Sequence, residues 1–332
     1  MLADLERLLL PMTANILELR GTARDGGAPL CALYAGSGAN LEFLRSYFFD
    51  QCEQQLLARR ATLVRLGSAL AVQAVEADLW LIERPAVWAR LLPAVGTITM
   101  PAWVRQQFRL PRLIPESGRL LPRLLEKEVR RHTRQQQYTV DFVSQPEMFR
   151  EFYRRYYCPY VEARFGAGAI VVPEPVFLQQ CAGQVLARLH ADGTWIAGLL
   201  LKQRRSVLRF GWFGLDRNPP PRGASETLDS ACIRYAHEKG VRTLVMGNSR
   251  PCLADGVLRY KAKFGAEIIA TRFPQTELAI EIRRATPGVM QALERQPLIG
   301  LRSGVPQVWK VVAEQGAGVS ARLCPLPAAG SP

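Results

Sequence analysis

The sequence predicts an α/β protein built on mixed sheets. Three observations carry that reading. Helical and extended patterns alternate along most of the 332 residues. Asp192-Gly193 joins two apolar runs and signals an antiparallel hairpin. A mostly apolar run, Val241 to Val245, leads through a polar turn into a short basic helix over the segment Met246 to Gly265. A strand, a polar turn and a basic helix in that order present polar groups at the carboxyl edge of a sheet.

The elements follow from the amino terminus. Leu2 to Leu19 has helical spacing interrupted by Pro11, and Ala28 to Tyr34 reads as a strand. Asn40 to Arg60 reads as one amphipathic helix, because Leu41, Leu44, Phe48, Cys52 and Leu56 recur at spacings of three and four. Asp78 to Glu83 is a strand, Pro85 to Leu92 a short helix and Val95 to Met100 another strand. Residues 1–104 therefore form an α/β portion with a core of its own.

Between Arg105 and Arg134 stand eight Arg and one Lys against three Glu, a net of +6. Pro111, Pro115, Gly118 and Pro122 break the first half of this stretch, and Leu121 to Arg134 reads as a helix. Residues 105–137 are thus expected to be a basic linker and helix, its face either solvated or phosphate-binding.

The second portion, 138–285, is more regular. Tyr138 to Val143 is a strand. Gln145 to Phe165 is a helix whose stripe of aromatics, Phe149, Phe152, Tyr153, Tyr156, Tyr157 and Tyr160, suits core packing. Glu174 to Val185 is a second helix. Strands follow at Leu186–Ala191, Thr194–Gln203 and Ser206–Leu215, then a Pro-rich loop over 216–223. Ala224 to Lys239 is a helix ended by Gly240, and after the strand at Val241 come a helix over 254–264 and strands at Glu267–Arg272 and Glu277–Arg283. The extension 286–332 contains a helix at Gly288–Arg295 and is expected to end disordered.

Composition bounds the function. Hydrophobic residues are 48% and charged residues 22%, as in soluble globular proteins. No apolar run approaches the ~20 residues of a membrane helix, and the acidic start Met1-Leu-Ala-Asp-Leu-Glu is unlike a signal peptide. The expected location is cytoplasmic. The net charge of +14 favours anionic partners, either a phosphorylated cofactor, RNA or an anionic membrane surface. Arg supplies 37 of the 43 basic residues, a bias that a GC-rich genome also produces. Seven cysteines in no Cys-x-x-Cys pair, and three histidines at no ligand spacing, predict neither a disulfide framework nor a metal site. Cys252 lies near the polar turn, but as a nucleophile it needs a base and no His is close in sequence.

The order of elements in the second portion, and the residues in it, resemble the GNAT superfamily of N-acyltransferases. The features are Phe152-Tyr153, Thr194-Trp-Ile-Ala-Gly-Leu-Leu-Leu201, the helix at 224–239, Gly247-Asn-Ser-Arg250 and Asp255-Gly-Val-Leu-Arg-Tyr-Lys-Ala-Lys-Phe-Gly265. The last two are similar to the Gly-x-Ser-Arg … Asp-Gly-Val-Leu run of the Fem-type and BioF-like branch, which includes cellulose-biosynthesis acyltransferases. The resemblance covers about 130–285, and its motif specifies the branch better than the substrate. It implies tandem GNAT-like domains, complete over 138–285 and degenerate over 1–104.

The resemblance further implies transfer of an acyl group from an activated donor to an amine on a small molecule or peptide. The donor is either acyl-CoA, held near Arg222, Gly223, Ala224 and Ser225, or aminoacyl-tRNA, met by the basic stretch 105–134. The family's Arg/Gln-x-x-Gly-x-Gly/Ala spacing is not met at 221–226, where Ser225 reads equally as a helix cap. The family's Phe-Lys pair maps onto Tyr260-Lys261, which implies that Lys261 steadies the tetrahedral oxyanion and that Tyr260 serves either as general acid or as packing. Asn248, Ser249, Arg250 and Asp255 are substrate-orienting candidates, with Ser249 and Asp255 also placed to cap the turn and helix. A non-catalytic protein of the same fold is the third reading. For the base that must deprotonate the amine, Glu162 and Asp229 are the weak candidates.

Overall fold

The computed structural model describes residues 13–24, 26–62, 77–85, 98–110, 120–166, 169, 171–216, 221–269, 276–313 and 319–326. The chain is mixed α/β and divides into two compact units. One comprises 1–104, 248–259 and 268–332, the other 105–247 and 260–267.

The first unit is built on a six-stranded sheet in the order β3-β1-β2-β4-β13-β5. Its strands are β1 (Thr13–Ala23), β2 (Pro29–Gly36), β3 (Phe49–Thr62), β4 (Leu79–Pro85), β5 (Ile98–Pro101) and β13 (Thr276–Ile282). All its pairs are antiparallel except β2 with β4, where Ala32–Ala35 match Leu79–Ile82 in parallel. Helix α1 (Leu41–Phe48) follows β2. Helix α8 (Pro287–Arg295) packs its buried Val289, Ala292 and Leu293 into the core formed by Leu19, Tyr34, Phe48 and Leu81. A three-stranded antiparallel sheet, β14 (Ile299–Arg302), β15 (Val305–Ala313) and β16 (Val319–Pro325), completes the unit.

Two expectations for this portion are corrected. Residues 13–19 of the expected first helix lie in strand β1, where Ala14 and Ile16 are buried around exposed Asn15. Pairing on both sides, to β2 and β3, outweighs the helical spacing. The helix expected over Asn40–Arg60 stops at Phe48, and Phe49 begins a 14-residue strand that pairs along β1 from Thr62↔Thr13 to Phe49↔Ala23. Apolar residues four apart buried Leu44 and Phe48, but Leu56 is 42% exposed, so the spacing beyond Phe48 marks no buried stripe. The helix read at Pro85–Leu92 falls almost wholly outside the described residues, as does the end of the chain beyond 326.

The second unit holds a seven-stranded sheet in the order β12-β6-β11-β10-β9-β8-β7. These are β6 (Val104–Arg109), β7 (Thr139–Val143), β8 (Val185–Ala191), β9 (Thr194–Arg204), β10 (Val207–Leu215), β11 (Thr243–Ser249) and β12 (Glu267–Ile269). β7 to β10 form an antiparallel meander. Its Asp192-Gly193 turn has φ of 49° and 76°, the left-handed pair that a two-residue hairpin needs.

Alternate side chains of the meander enter two cores. Ala187, Leu189, Ala197, Leu199 and Leu201 pack with α2 (Arg123–Gln135) and α6 (Ala224–Glu238). Leu186 and Leu200 pack beneath the aromatic helix. That helix runs as α3 (Pro146–Glu151), a π-helical segment Phe152–Tyr157 and α4 (Cys158–Phe165), and α5 (Glu174–Gln180) adds Phe177 to its core. Burial of α6 rests on Leu228 and Ile233, both 0% exposed and each contributing about 1.5–3 kcal/mol. α6 ends in a Schellman turn. Gly240 has φ 67°, its N–H donates to His237 O, and the Val241 N–H donates to Ala236 O.

The basic stretch 105–137 is more integrated than a linker. Arg105–Arg109 lie in a strand of the second sheet, and Leu121, Leu125 and Val129 bury one side of α2. The strand expected at Glu277–Arg283 forms as β13 but completes the sheet of the first unit, because Leu278 and Ile280 pair between β4 and β5.

Candidate active site

β10 and β11 run parallel and share only three register pairs, Val207↔Thr243, Leu208↔Leu244 and Arg209↔Val245. β10 continues to Leu215 and β11 to Ser249. Against β9, β10 carries a bulge between Phe210 and Phe213. The two strands therefore part beyond their third pair, at their carboxyl ends. Such a parting between parallel strands is where open α/β sheets receive ligands. Just past the bulge β10 abuts the π segment, since a Cβ on Gly214 would lie 2.6 Å from the Tyr156 carbonyl carbon. Only glycine permits that approach.

The catalytic candidates collect at this end of the second unit. Helix α7 (Gly256–Lys263) carries Tyr260 and Lys261. The Tyr260 hydroxyl donates to Asp229 Oδ2 of α6 at 2.8 Å. Lys261 is 8% exposed, and its Nζ lies 3.8 Å from where a Cβ on Gly247 would stand. Gly247 has φ 86°, and that left-handed backbone favours glycine there, while the ammonium stands at ordinary contact distance. Asp229 is buried, and burial pushes its carboxyl up to about 7, with Glu226 adding to the rise and the Tyr260 hydrogen bond and Lys261 opposing it. Tyr260 is pushed far above the ordinary phenol range by burial and by the neighbouring carboxylates of Asp229 and Glu226. At neutral pH the cluster thus holds a firmly protonated phenol beside a carboxyl poised between its two forms. The structure joins Asp229 to the pair Tyr260-Lys261, whereas Glu162 stands exposed on α4.

The amino end of α6 is less open to a phosphate than its sequence implies. Gly223 is the N-cap with φ 74°, and no side chain caps the helix, Ser225 included. A Cβ on Gly223 would come within 2.6 Å of His132 Cβ and Cγ. The glycine makes room for the imidazole of α2. Ala224 is buried and Glu226 places a negative charge in the first turn. Arg222 is exposed, and its carbonyl accepts from Tyr138.

Asn248, Ser249, Arg250 and Asp255 belong to the first unit. Asp255 accepts from the Leu258 N–H at 2.7 Å, which caps α7. Ser249 is buried and Asn248 exposed. Arg250 is clamped. Its guanidinium lies 3.6 Å from the Trp103 ring centroid and 4.6 Å from that of Phe43, and Nη1 donates to Asn40 Oδ1 at 2.6 Å. Burial pulls its pKa down to about 10. Asn40 in turn donates to Glu83 at 3.0 Å, Ser37 donates to the same carboxylate at 2.8 Å, and so does Tyr34. Sequence reading missed this network. Its available signal was the Gly36-Ser-Gly-Ala-Asn40 turn between a strand and a helix.

No protein-family model matches the chain, and no curated protein is significantly similar to it. Solved structures are. FemX is 12% identical over 80% of this chain and 84% of its own, with a TM-score of 0.42. L-PGS from Bacillus licheniformis is 16% identical over 86% of this chain and 90% of its own, with a TM-score of 0.39. A GCN5-related N-acetyltransferase from Sphaerobacter thermophilus is 13% identical over 76% of this chain and 72% of its own, with a TM-score of 0.39. No helix among the described residues is long and apolar enough to cross a membrane.

Proposed function

We propose that the chain is an acyltransferase that moves an acyl group from an activated donor to an amine. The observation that carries the proposal is the cluster of buried Asp229 and Lys261 with half-buried Tyr260 beside the parted strands β10 and β11. The amine must attack as the neutral base. As its nitrogen bonds to the acyl carbon, its proton passes to the Tyr260 oxygen while the Tyr260 proton passes to Asp229. A carboxyl with a pKa of about 7 accepts that proton at neutral pH. Lys261 supplies positive charge to the oxyanion as it forms. Collapse of the intermediate breaks the bond to the leaving group, which recovers the proton by the reverse path.

Acyl-CoA is the first donor proposed, because α6 opens next to the parted strands and the first N–H groups of a 15-residue helix favour phosphate. Arg222 and Ser225 are its proposed contacts, with the backbone of Gly223 and Ala224. The aminoacyl-tRNA reading draws on α2, whose Arg123, Lys127, Arg131 and Arg134 are exposed on one helix. Asn248, Ser249 and Arg250 are proposed as substrate-orienting residues.

Calorimetry and thiol-release assays with acetyl-CoA and longer acyl-CoAs, supplied with primary amines, test the first donor. Saturable heat with thiol release is expected; no heat at millimolar ligand overturns it. Binding of aminoacyl-tRNA that falls steeply with salt favours the second donor, and absent or salt-independent binding removes it. Binding of either donor without turnover assigns the fold a carrier role.

A further inference from the structure

A cavity of about 270 Å³ opens on the side of α6 away from Asp229, between α6, β7 and the carboxyl end of α2. Thr227, Ala231, Arg234 and Glu238 line it at the three- and four-residue spacing of one helix face. Asp229 projects from the other side of the helix toward Tyr260. The cavity is therefore separate from the candidate active site.

Its chemistry is defined on three sides. Phe142 and Tyr235 form an aromatic wall, stacked with centroids 4.3 Å apart and planes inclined by 18°. Thr227 is 3% exposed, and its buried hydroxyl has no hydrogen-bond partner among the described residues. A buried hydroxyl left unmatched costs about 1–3 kcal/mol. Arg234 and Glu238 stand one helical turn apart at the rim, exposed, and neither forms an ion pair with a described residue. Opposite charges at this spacing ordinarily meet each other; here they present a cation and an anion side by side next to an aromatic surface.

We infer that this cavity binds a free α-amino acid with an aromatic or apolar side chain. The carboxylate pairs with Arg234, the ammonium with Glu238, and the side chain packs against Phe142 and Tyr235. The volume falls just below the range of drug-sized sites, which suits a ligand of this size better than a nucleotide cofactor.

Titration of the full chain with L-phenylalanine, followed by calorimetry, tests the inference. Saturable binding is expected, at least tenfold weaker for phenethylamine and for 3-phenylpropionate, each of which lacks one charge. Arg234→Gln, Glu238→Gln and Ala231→Leu, each checked for an unchanged circular dichroism spectrum, are expected to weaken it at least tenfold. Tyr260→Phe is expected to bind L-phenylalanine as the wild type does, which separates this site from the acyl-transfer reading. Absence of binding at millimolar L-phenylalanine and L-leucine overturns the inference. So does binding that survives Arg234→Gln and Ala231→Leu, or that is lost in Tyr260→Phe alone.

Discussion

Each unit contains a parallel strand pair beside antiparallel ones, β2 with β4 and β10 with β11, and a Gly-containing segment and a helix follow the first strand of each pair. Their polar residues are used in opposite ways. In the first unit Glu83 takes hydrogen bonds from Tyr34, Ser37 and Asn40, and Asn40 passes the connection to Arg250 between two aromatic rings. A side chain at Gly36 would clash with the Tyr34 hydroxyl and the Glu83 Cβ. The polar groups there satisfy one another. In the second unit the strands part after three pairs, and a carboxyl is held near pH 7 beside a phenol and a buried lysine. A closed network stabilises, whereas a cluster with perturbed protonation is suited to moving protons.

The largest test of the contrast is Lys261→Ala. Loss of one oxyanion-stabilising group is expected to lower kcat by about 10²–10³, with an unchanged circular dichroism spectrum. Wild-type turnover in this variant removes the catalytic assignment. Asp229→Asn follows, with an expected loss of about 10²–10⁴ in kcat/KM. Wild-type kcat/KM is expected to rise as pH passes about 7, because the proton acceptor is the carboxylate. Stability moves the other way. A carboxyl raised from 3.8 to about 7 on folding contributes stability below its unfolded pKa and loses it as pH rises through the folded value. The ceiling on this effect is on the order of 4 kcal/mol. Asp229→Asn is therefore expected to melt higher than the wild type at pH 8 and close to it at pH 4. Equal melting at both pH values contradicts the buried-carboxyl reading.

Much of this architecture was legible in the sequence where local and tertiary preferences agree. Asp192-Gly193, the apolar alternation around it and the Gly240 stop all form as their local chemistry requires. Residues 49–60 were not legible, because Gln, Leu, Ala and Arg suit a helix and the strand they form is dictated by pairing with β1. Tyr260 and Lys261 stood out by motif, but Asp229 did not. It is 31 residues away, one acidic residue in a helix, and only the packing of α7 on α6 makes it a partner. Glu83 and Asn40 were hidden for the same reason, separated by 43 positions. Gly223 was legible as a special position, but its contact with the ring of His132, 91 residues earlier, was not.

Glu83→Gln sharpens the comparison from the first unit. The amide keeps the shape but replaces one accepting oxygen by an NH2 where Tyr34, Ser37 and Asn40 all donate, so at least one of these hydrogen bonds is lost or reversed. A loss of about 1–3 kcal/mol is expected in urea unfolding, with kcat/KM per folded molecule changed less than tenfold. A larger catalytic loss at unchanged stability places Glu83 in the chemistry and ends the division of labour drawn here.

The smallest expected effect isolates what Gly223 does. A side chain there meets two costs, the positive φ of 74° and the His132 ring at 2.6 Å. Gly223→Ala is expected to destabilise by about 1–3 kcal/mol. The steric part belongs to His132 alone, so the double variant Gly223→Ala with His132→Ala is expected to lose less than the sum of the two single losses. The backbone part persists in the double variant. Additivity of the two losses means that the imidazole yields freely, and Gly223 is then kept by its left-handed backbone alone. Interaction between them, with affinity for acyl-CoA unchanged in the double variant, assigns the glycine to packing of α2 on α6 and removes it from the donor site.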